Sequence, residues 1–263
     1  PWFSALGSKG GFDRLEDCFA DLSGHIFAVE TGLSSDPPMN WRLSQLDPYV
    51  MVSSSDAHSP AKLGRESTVF QSDFFSYPGI YKALQDPSHD GLVGTVEFFP
   101  EEGKYHFDGH RQCHTRMHPR ETRENQGVCP VCGKPVTVGV MARVEELADH
   151  PEGRRSPNAR DFVSLIPLPE VVAEARSMGV NSKAVQAAYL DMLSKLGNEM
   201  AILRDIPVSD IQKVSGTLIA EGIRRVREGK VRIAAGYDGE YGTVQIFSED
   251  ERDTVDHQMT LFR

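Results

Sequence analysis

The sequence predicts an α/β fold over residues 1–103, a small metal-binding module over 104–150, and a mainly helical region with a β-hairpin over 151–263. Three observations predict it. Short apolar runs alternate with helical stretches before residue 103, and the runs end in polar residues. His and Cys then crowd together, with little helix until Val144. After Pro167 the apolar residues return at helical spacing.

The totals limit the function classes. The 263 residues are 39% hydrophobic and 25% charged, an ordinary globular composition with room for a sizeable core. No apolar run reaches membrane-spanning length and no signal peptide stands out, so a cytoplasmic protein with no membrane partner is expected. The net charge of -10 argues against indiscriminate nucleic-acid binding but leaves room for a local basic groove. Three of the four cysteines lie close together, which in a cytosolic chain favours metal over disulfides. The opening Pro1-Trp2-Phe3-Ser4 reads as the middle of a domain, so a part of the protein upstream of it is expected.

The elements follow in order. Gly7–Gly11 is a flexible loop carrying Lys9. Asp13 is placed to cap a helix from Arg14 to Ala20. His25 to Glu30 reads as a strand ending in an acid. A helix is expected from Asn40 to Leu46, a strand at Tyr49–Val52, a helix from Ser72 to Gln85 and a strand from Gly91 to Phe99. This alternation is the arrangement of α/β barrels, where chemistry sits on the loops after the strands. Pro151–Asn158 is a polar linker. Val171, Val172, Ala175 and Met178 form one helical stripe ended by Gly179. Asn181 or Ser182 caps the next helix, with Val185, Tyr189 and Met192 on its stripe. Ser209-x-x-Gln212 is a capping box for the last helix, which carries Ile219, Ile223 and Val226. Val231–Ala235 and Tyr241–Phe247 form a hairpin around Gly236-Tyr-Asp-Gly239. Residues 249–263 are charged and expected to fray.

Two stretches carry metal chemistry. Val52-Ser-Ser-Ser-Asp56-Ala-His58 reads as a strand running into polar residues. In a strand-like stretch Asp56 and His58 point to one side, where a carboxylate and an imidazole suit a divalent cation. Glu30 falls at a second strand end as a supporting ligand. His110-x-x-Cys113 and Cys129-x-x-Cys132-Gly133 are two knuckle corners that together complete a tetrahedral Cys3His zinc site with no open position, hence structural. The fourth ligand is the open choice: His106, His114 and His118 are also near, and His110 is preferred on spacing.

Two segments are locally basic. Residues 104–160 hold ten Lys/Arg against seven Asp/Glu, and residues 221–232 hold five against two. Such surfaces suit a polyanion backbone. Lys9, Arg65, Tyr105, Arg111, Arg224, Arg225 and Arg227 are the candidate DNA contacts. No phosphate-binding P-loop, nucleophile elbow or dinucleotide fingerprint is present.

Longer strings make the sequence resemble a known family. Val52–Pro60 with Leu63-Gly-Arg-Glu66, Thr95–Arg111, Cys129–Cys132, Arg143–Asp149, Ile223–Lys230 and Gly236–Gly242 resemble the endonuclease Q family over almost the whole chain. The resemblance implies part of a distorted barrel of the polymerase-and-histidinol-phosphatase (PHP) type, then a zinc module and a helical C-terminal region. It implies a DNA-repair endonuclease that nicks 5′ of deaminated bases such as uracil, hypoxanthine and xanthine, or of abasic sites. Asp56 and His58 match the last metal motif of PHP domains, for Mg2+, Mn2+ or Zn2+. The family's earlier His-x-His does not occur here, so the chain is expected to be a C-terminal portion. The competing readings are a PHP phosphoesterase on a small phosphate ester and a non-catalytic nucleic-acid-binding fragment of a helicase-like repair protein.

Overall fold

The computed structural model describes residues 4–71, 73, 75–86, 90–248 and 251. The chain forms a mixed α/β structure of small sheets and short helices, divided into two compact units. The first unit holds residues 1–163 and 234–243, and the second holds 164–233 and 244–263.

In the first unit, β1 (Ala28–Glu30) pairs in parallel with β2 (Val50–Val52), with Glu30 opposite Val52. Between them, α2 (Pro37–Asn40) starts where Asp36 accepts the Met39 N–H at 2.9 Å. A 3-10 turn follows at Ser44–Leu46. The expected helix over 40–46 is therefore two short pieces, because Leu43 is extended (φ −106°, ψ 105°) between them. Before β1, the helix α1 (Leu15–Phe19) is capped by Arg14 without a side-chain bond. Asp13, the expected cap, instead accepts from Arg143 at 2.7 Å. The strand expected from His25 begins only at Ala28, since His25 closes a 3-10 turn.

A three-stranded sheet runs in the order β3 (Ser67–Phe70), β4 (Leu92–Glu97), β7 (Asp161–Ser164). Gly94 permits the approach of β7: a Cβ there would lie 2.0 Å from the Asp161 carbonyl oxygen. The helix α3 (Tyr77–Gln85) starts at a Ser76 cap, later than Ser72, because Pro78 fits the first turn of a helix and not its interior. Residues 72 and 74 of that expected helix lie outside the described residues. Residues 104–150 contribute the β5 (Asp108–His110) and β6 (Thr115–Met117) pair, then α4 (Pro119–Glu124) and α5 (Val140–Leu147). Met39, Val140 and Met141 pack with Phe107 and Val144, while Leu15, Leu43 and Leu46 pack with Val144 and Leu147. Val50, Ala83 and Leu92 form a third cluster. Burial of such side chains contributes about 1.5–3 kcal/mol each.

The second unit is helical: α6 (Leu168–Ala175), α7 (Lys183–Leu196), α8 (Glu199–Arg204), α9 (Val208–Ser215) and α10 (Thr217–Arg227). Val171, Val172 and Ala175 are buried as expected, but Met178 lies beyond the end of α6 and is exposed. Ser182 caps α7, accepting from Val185 N. The expected single last helix is two helices. Gly216, at φ 87°, breaks it, and Pro207 rather than Ser209 stands at the start of α9. Gln212 therefore makes no capping box and donates to Thr217 Oγ1 at 2.8 Å. Glu174 Oε1 accepts the N–H groups of Ile246 and Phe247, both at 2.8 Å, which seats those two buried residues.

β8 (Arg232–Ala234) and β9 (Thr243–Gln245) are the paired strands of the hairpin. Apart from Glu251, the expected frayed tail lies outside the described residues. Among the described residues no helix is long and apolar enough to cross a membrane.

Candidate functional site

The polar ends of β1, β2 and β4 converge. Thr31, just after β1, receives the chain of β2 through Thr31 N to Val52 O at 3.0 Å, and its hydroxyl donates to Glu97 Oε2 at 2.9 Å. Ser53, just after β2, donates to the Val96 carbonyl at 3.1 Å, and the Thr68 hydroxyl donates to the Ser53 carbonyl at 3.0 Å. These bonds fix where the two loops leave the sheet.

Asp56 and His58 sit on the second loop. β2 ends at Val52, and Asp56 has a left-handed φ of 44°, so the stretch is an irregular loop and the strand geometry expected for the pair does not hold. Their relation is set another way. His58 Nδ1 lies 2.8 Å from the Asp56 backbone oxygen. The Nδ1–H tautomer satisfies that bond and leaves the Nε2 lone pair for a ligand, as metal-binding histidines commonly do. Both side chains are exposed, as is Glu30 at the end of β1. Arg65 Nε donates to the Ser55 carbonyl at 2.9 Å and so braces the loop one residue before Asp56.

Behind this loop lies a buried acid pair that sequence reading missed. Glu66 and Glu97 are fully shielded, and Glu66 Oε2 and Glu97 Oε1 have no hydrogen-bond partner among the described residues. Burial pushes each carboxyl up to about 7, and for Glu66 the negative charge of Glu97 adds to it. The available signal was an acid, Glu97, inside the apolar run Leu92–Phe99. A cleft of about 450 Å3 opens beside the end of β1, lined by Glu30, Thr31, Ser34, Ser35 and Asn40 over an apolar floor that includes Leu6 and Phe19. Its loop is pre-ordered: Ser35 Oγ donates to Thr31 O at 2.6 Å, and Asn40 Nδ2 donates to Ser35 Oγ at 3.0 Å.

The second centre is assembled by the end of β5, the 3-10 turn Arg111–Cys113 that follows it and the Cys129–Gly133 turn. The ligand atoms of His110, Cys113, Cys129 and Cys132 all lie within 4.8 Å of one another. His110 Nδ1 lies 3.5 Å from Cys132 Sγ, about the N···S edge of a tetrahedral zinc site with Zn–S near 2.3 Å and Zn–N near 2.0 Å. The turn is closed by Gly133 N to Cys129 O and Cys129 N to Lys134 O, both at 2.8 Å, and Gly133 takes φ 71°. Of the histidines in range by sequence, His110 joins the cysteines. His118 caps α4, His114 is exposed, and His106 is buried. Cys113 is pushed up to about 11 by Cys132, burial and Cys129. Burial raises Cys129 too, but Thr115, the Val131 and Cys132 N–H groups and the Cys132 thiol outweigh it and bring it down to about 6. A bound dication would favour the thiolate of Cys113, which its two neighbours hold protonated. The residues thus fit a zinc ion.

His118, Glu145 and Glu152 form another group of possible ligand atoms. Guanidiniums already occupy it: Arg42 lies 2.7 Å from Glu145, and Arg120 and Arg123 lie 3.2 Å from it. That grouping is an ion-pair network. Glu30, Asp56 and His58 do not enter a group of this kind among the described residues.

The candidate DNA contacts fall into two kinds. Lys9, Tyr105 and Arg111 are exposed on the first unit. In the second unit Arg227 is occupied internally, donating to the carbonyls of Ile202, Leu203 and Ile206 at 2.7–2.8 Å. Arg225 lies over the Phe247 ring at 4.9 Å and bonds Glu221, and Arg224 pairs with Glu221 and Glu228 at 2.6 Å.

Fold and site define a mixed α/β protein with a cluster of one histidine and three cysteines that could hold a metal ion. Its fold is that of endonuclease Q structures. The lesion-specific endonuclease PfuEndoQ of Pyrococcus furiosus superposes with a TM-score of 0.82 at 30% identity, over 92% of this chain and 60% of that one. An endonuclease Q complex with a 27-mer duplex bearing an abasic lesion gives 0.74 at 29% identity, with the same coverage. In sequence, residues 167–230 match the family described as the MJ0043 C-terminal domain. The chain is 32% identical to the uncharacterized protein MJ0043 of Methanocaldococcus jannaschii, over all of this chain and 33% of that protein. It is 34% identical to the uncharacterized protein YqxK of Bacillus subtilis, over 92% of this chain and 58% of that one. The chain therefore spans between a third and three fifths of the length of these relatives.

Proposed function

We propose that this protein is a metal-dependent DNA-repair endonuclease that hydrolyses the phosphodiester bond 5′ of deaminated bases or abasic sites. The observation that carries the reading is the superposition of 92% of the chain on lesion-specific endonuclease Q. On this reading residues 1–103 belong to a PHP-like catalytic domain, 104–150 to a zinc module and 151–263 to a DNA-binding region.

Asp56 and His58 then supply two ligands of the catalytic site, with Glu30 beside them. Asp56 and His58 would hold a divalent cation, which would supply Lewis-acid chemistry there: activation of water and offset of charge at the attacked phosphate. His58, bonded through Nδ1 to the Asp56 carbonyl, offers Nε2 as a ligand and is not free as a general base. The cleft beside Glu30 offers hydroxyls and an amide over apolar side chains, a chemistry suited to an extruded base. The Cys3His centre holds its module rigid, and Lys9, Tyr105 and Arg111 face the backbone. The test is nicking of end-labelled duplexes carrying uracil, hypoxanthine or an abasic site, with Mg2+ or Mn2+ and with EDTA. Cleavage only 5′ of the lesion and only with metal is expected. Cleavage in EDTA, or equal cleavage of undamaged duplex, contradicts the reading.

A second reading is a non-catalytic DNA-binding protein. It is favoured by the absence of Glu30, Asp56 and His58 from any cluster of three or more ligand atoms among the described residues. Lesion binding without nicking under all metal conditions would select it.

A further inference from the structure

Residues 234–243 return from the helical region and belong to the first unit. They lie against residues 101–107, at the entry to the metal module, backbone to backbone. Gly236 N donates to Glu101 O at 2.7 Å, Phe107 N to Gly236 O at 2.9 Å, Gly239 N to Lys104 O at 3.0 Å, and Gly242 N to Glu102 O at 3.1 Å. Arg116 Nη1 donates to Ala235 O at 3.1 Å, and Lys104 Nζ lies 4.5 Å from the centre of the Tyr241 ring. The contact admits no extra atoms: a Cβ on Gly109 would meet Tyr237 Cδ2 at 2.4 Å, and one on Gly242 would meet Glu101 O at 2.0 Å.

At the tip of this segment one carboxylate reaches both halves of the Cys3His centre. Asp238 Oδ2 accepts the Arg111 N–H at 2.6 Å, on the residue after His110 and two before Cys113. Asp238 Oδ1 accepts the Thr137 hydroxyl at 2.5 Å, on the segment leaving the Cys129–Cys132 corner. Gly109 and Thr137 exchange N–H···O bonds at 2.9 and 2.8 Å, so the two halves already lie side by side. Asp238 is itself held in a tight turn, at φ 44° with Gly239 at φ 87°.

We propose that Asp238 is a positioning residue for the metal centre, clamping its two ligand corners in register, and that the docking of residues 234–243 is coupled to metal occupancy. This rests on the zinc reading of His110, Cys113, Cys129 and Cys132. Residues outside the ligand set that orient it typically change metal affinity 10–100-fold. Coupling is reciprocal: whatever factor Asp238 adds to metal affinity, bound metal adds to the docking of the segment.

The test uses the whole chain, with zinc as the probe. Zinc affinity is measured by competition with a chromophoric chelator for wild type, Asp238→Ala and Asp238→Asn. Hydrogen exchange of residues 235–242 is followed with and without zinc. The expected result is a 10–100-fold weaker zinc affinity for Asp238→Ala and a smaller loss for Asp238→Asn, which keeps one acceptor oxygen. Zinc removal is expected to speed exchange at 235–242 in wild type while residues 168–227 keep theirs. If Asp238→Ala fails to fold, Thr137→Val carries the affinity measurement. Zinc affinity within twofold of wild type in the variants, with exchange at 235–242 indifferent to zinc, would overturn the clamp. Wild type that binds no zinc would overturn the centre, and with it the coupling.

Discussion

The Thr31 hydroxyl donates to Oε2 of Glu97 at 2.9 Å, tying the loop after β1 to the end of β4. Oε1 of the same carboxyl is buried without a partner. A carboxylate there is poorly solvated, so Glu97 is held up to about 7 by burial, against its bonds to Thr95 and Thr31. Glu66 is held up likewise. In the unfolded chain both return to an ordinary 4.5. The folded state therefore binds more protons between these values, and stability falls as pH rises from 4.5 through about 7. Glu97→Gln is expected to flatten that slope and gain on wild type by roughly 1–3 kcal/mol between pH 5 and pH 8. Urea midpoints at the two pH values measure it. An unchanged slope would place the proton elsewhere.

Glu145 and Arg42 show the opposite sign. Their side chains are 6% and 5% exposed and 2.7 Å apart. Burial alone would raise the Glu145 carboxyl, but Arg42 and Arg120 outweigh it and bring it down to about 2. Its contribution is complete above 4.5 and is lost as pH falls from there toward about 2. Glu145→Gln leaves the Arg42 guanidinium buried without its counter-charge, and a loss of about 3–5 kcal/mol is expected. Denaturant unfolding at pH 7 checks it. A loss under 1 kcal/mol would mean that Glu152, 3.7 Å from Arg42, takes over.

Removing zinc is expected to act on the first unit alone. Cys129→Ser deletes the most buried of the three clustered thiols. Elemental analysis should then show wild type with about one zinc per chain and the variant with far less. A lower melting temperature should accompany the loss. Equal metal content in both proteins would remove the site.

The arginines separate by their surroundings. Arg227 holds three carbonyls at the end of α8, so Arg227→Ala is expected to destabilise by roughly 1.5–3 kcal/mol with little change in DNA affinity. Arg111 has an exposed side chain, so Arg111→Ala is expected to weaken DNA binding and lower its salt slope by about one, with little change in stability. Titrations at several salt concentrations check both. The reverse pattern would reassign the contact surface.

How far the sequence reached depends on how local each cause was. The two cysteine corners were legible because knuckle spacing is a local property. So were the Ser182 cap and the stripe through Val171 and Val172. The strand β7 was not, because Asp161-Phe-Val-Ser164 is too short to show alternation and its pairing partner is distant in sequence. The break at Gly216 was hidden by a capping pattern at Ser209 that the chain does not use. The departure from strand geometry at Asp56 depends on a positive φ, which side-chain pattern does not reveal. The burial of Glu66 and Glu97 and the reach of Asp238 to Arg111 and Thr137 are tertiary facts with no local signature.

Asp56 is assigned above to phosphodiester hydrolysis. The most direct measurement is single-turnover nicking of a duplex with one abasic site by the intact protein and its Asp56→Asn variant, beside a binding titration of the same duplex. A rate at least a hundredfold lower for Asp56→Asn, with binding within a few-fold of wild type, is the predicted result. Equal nicking by the two proteins would contradict it.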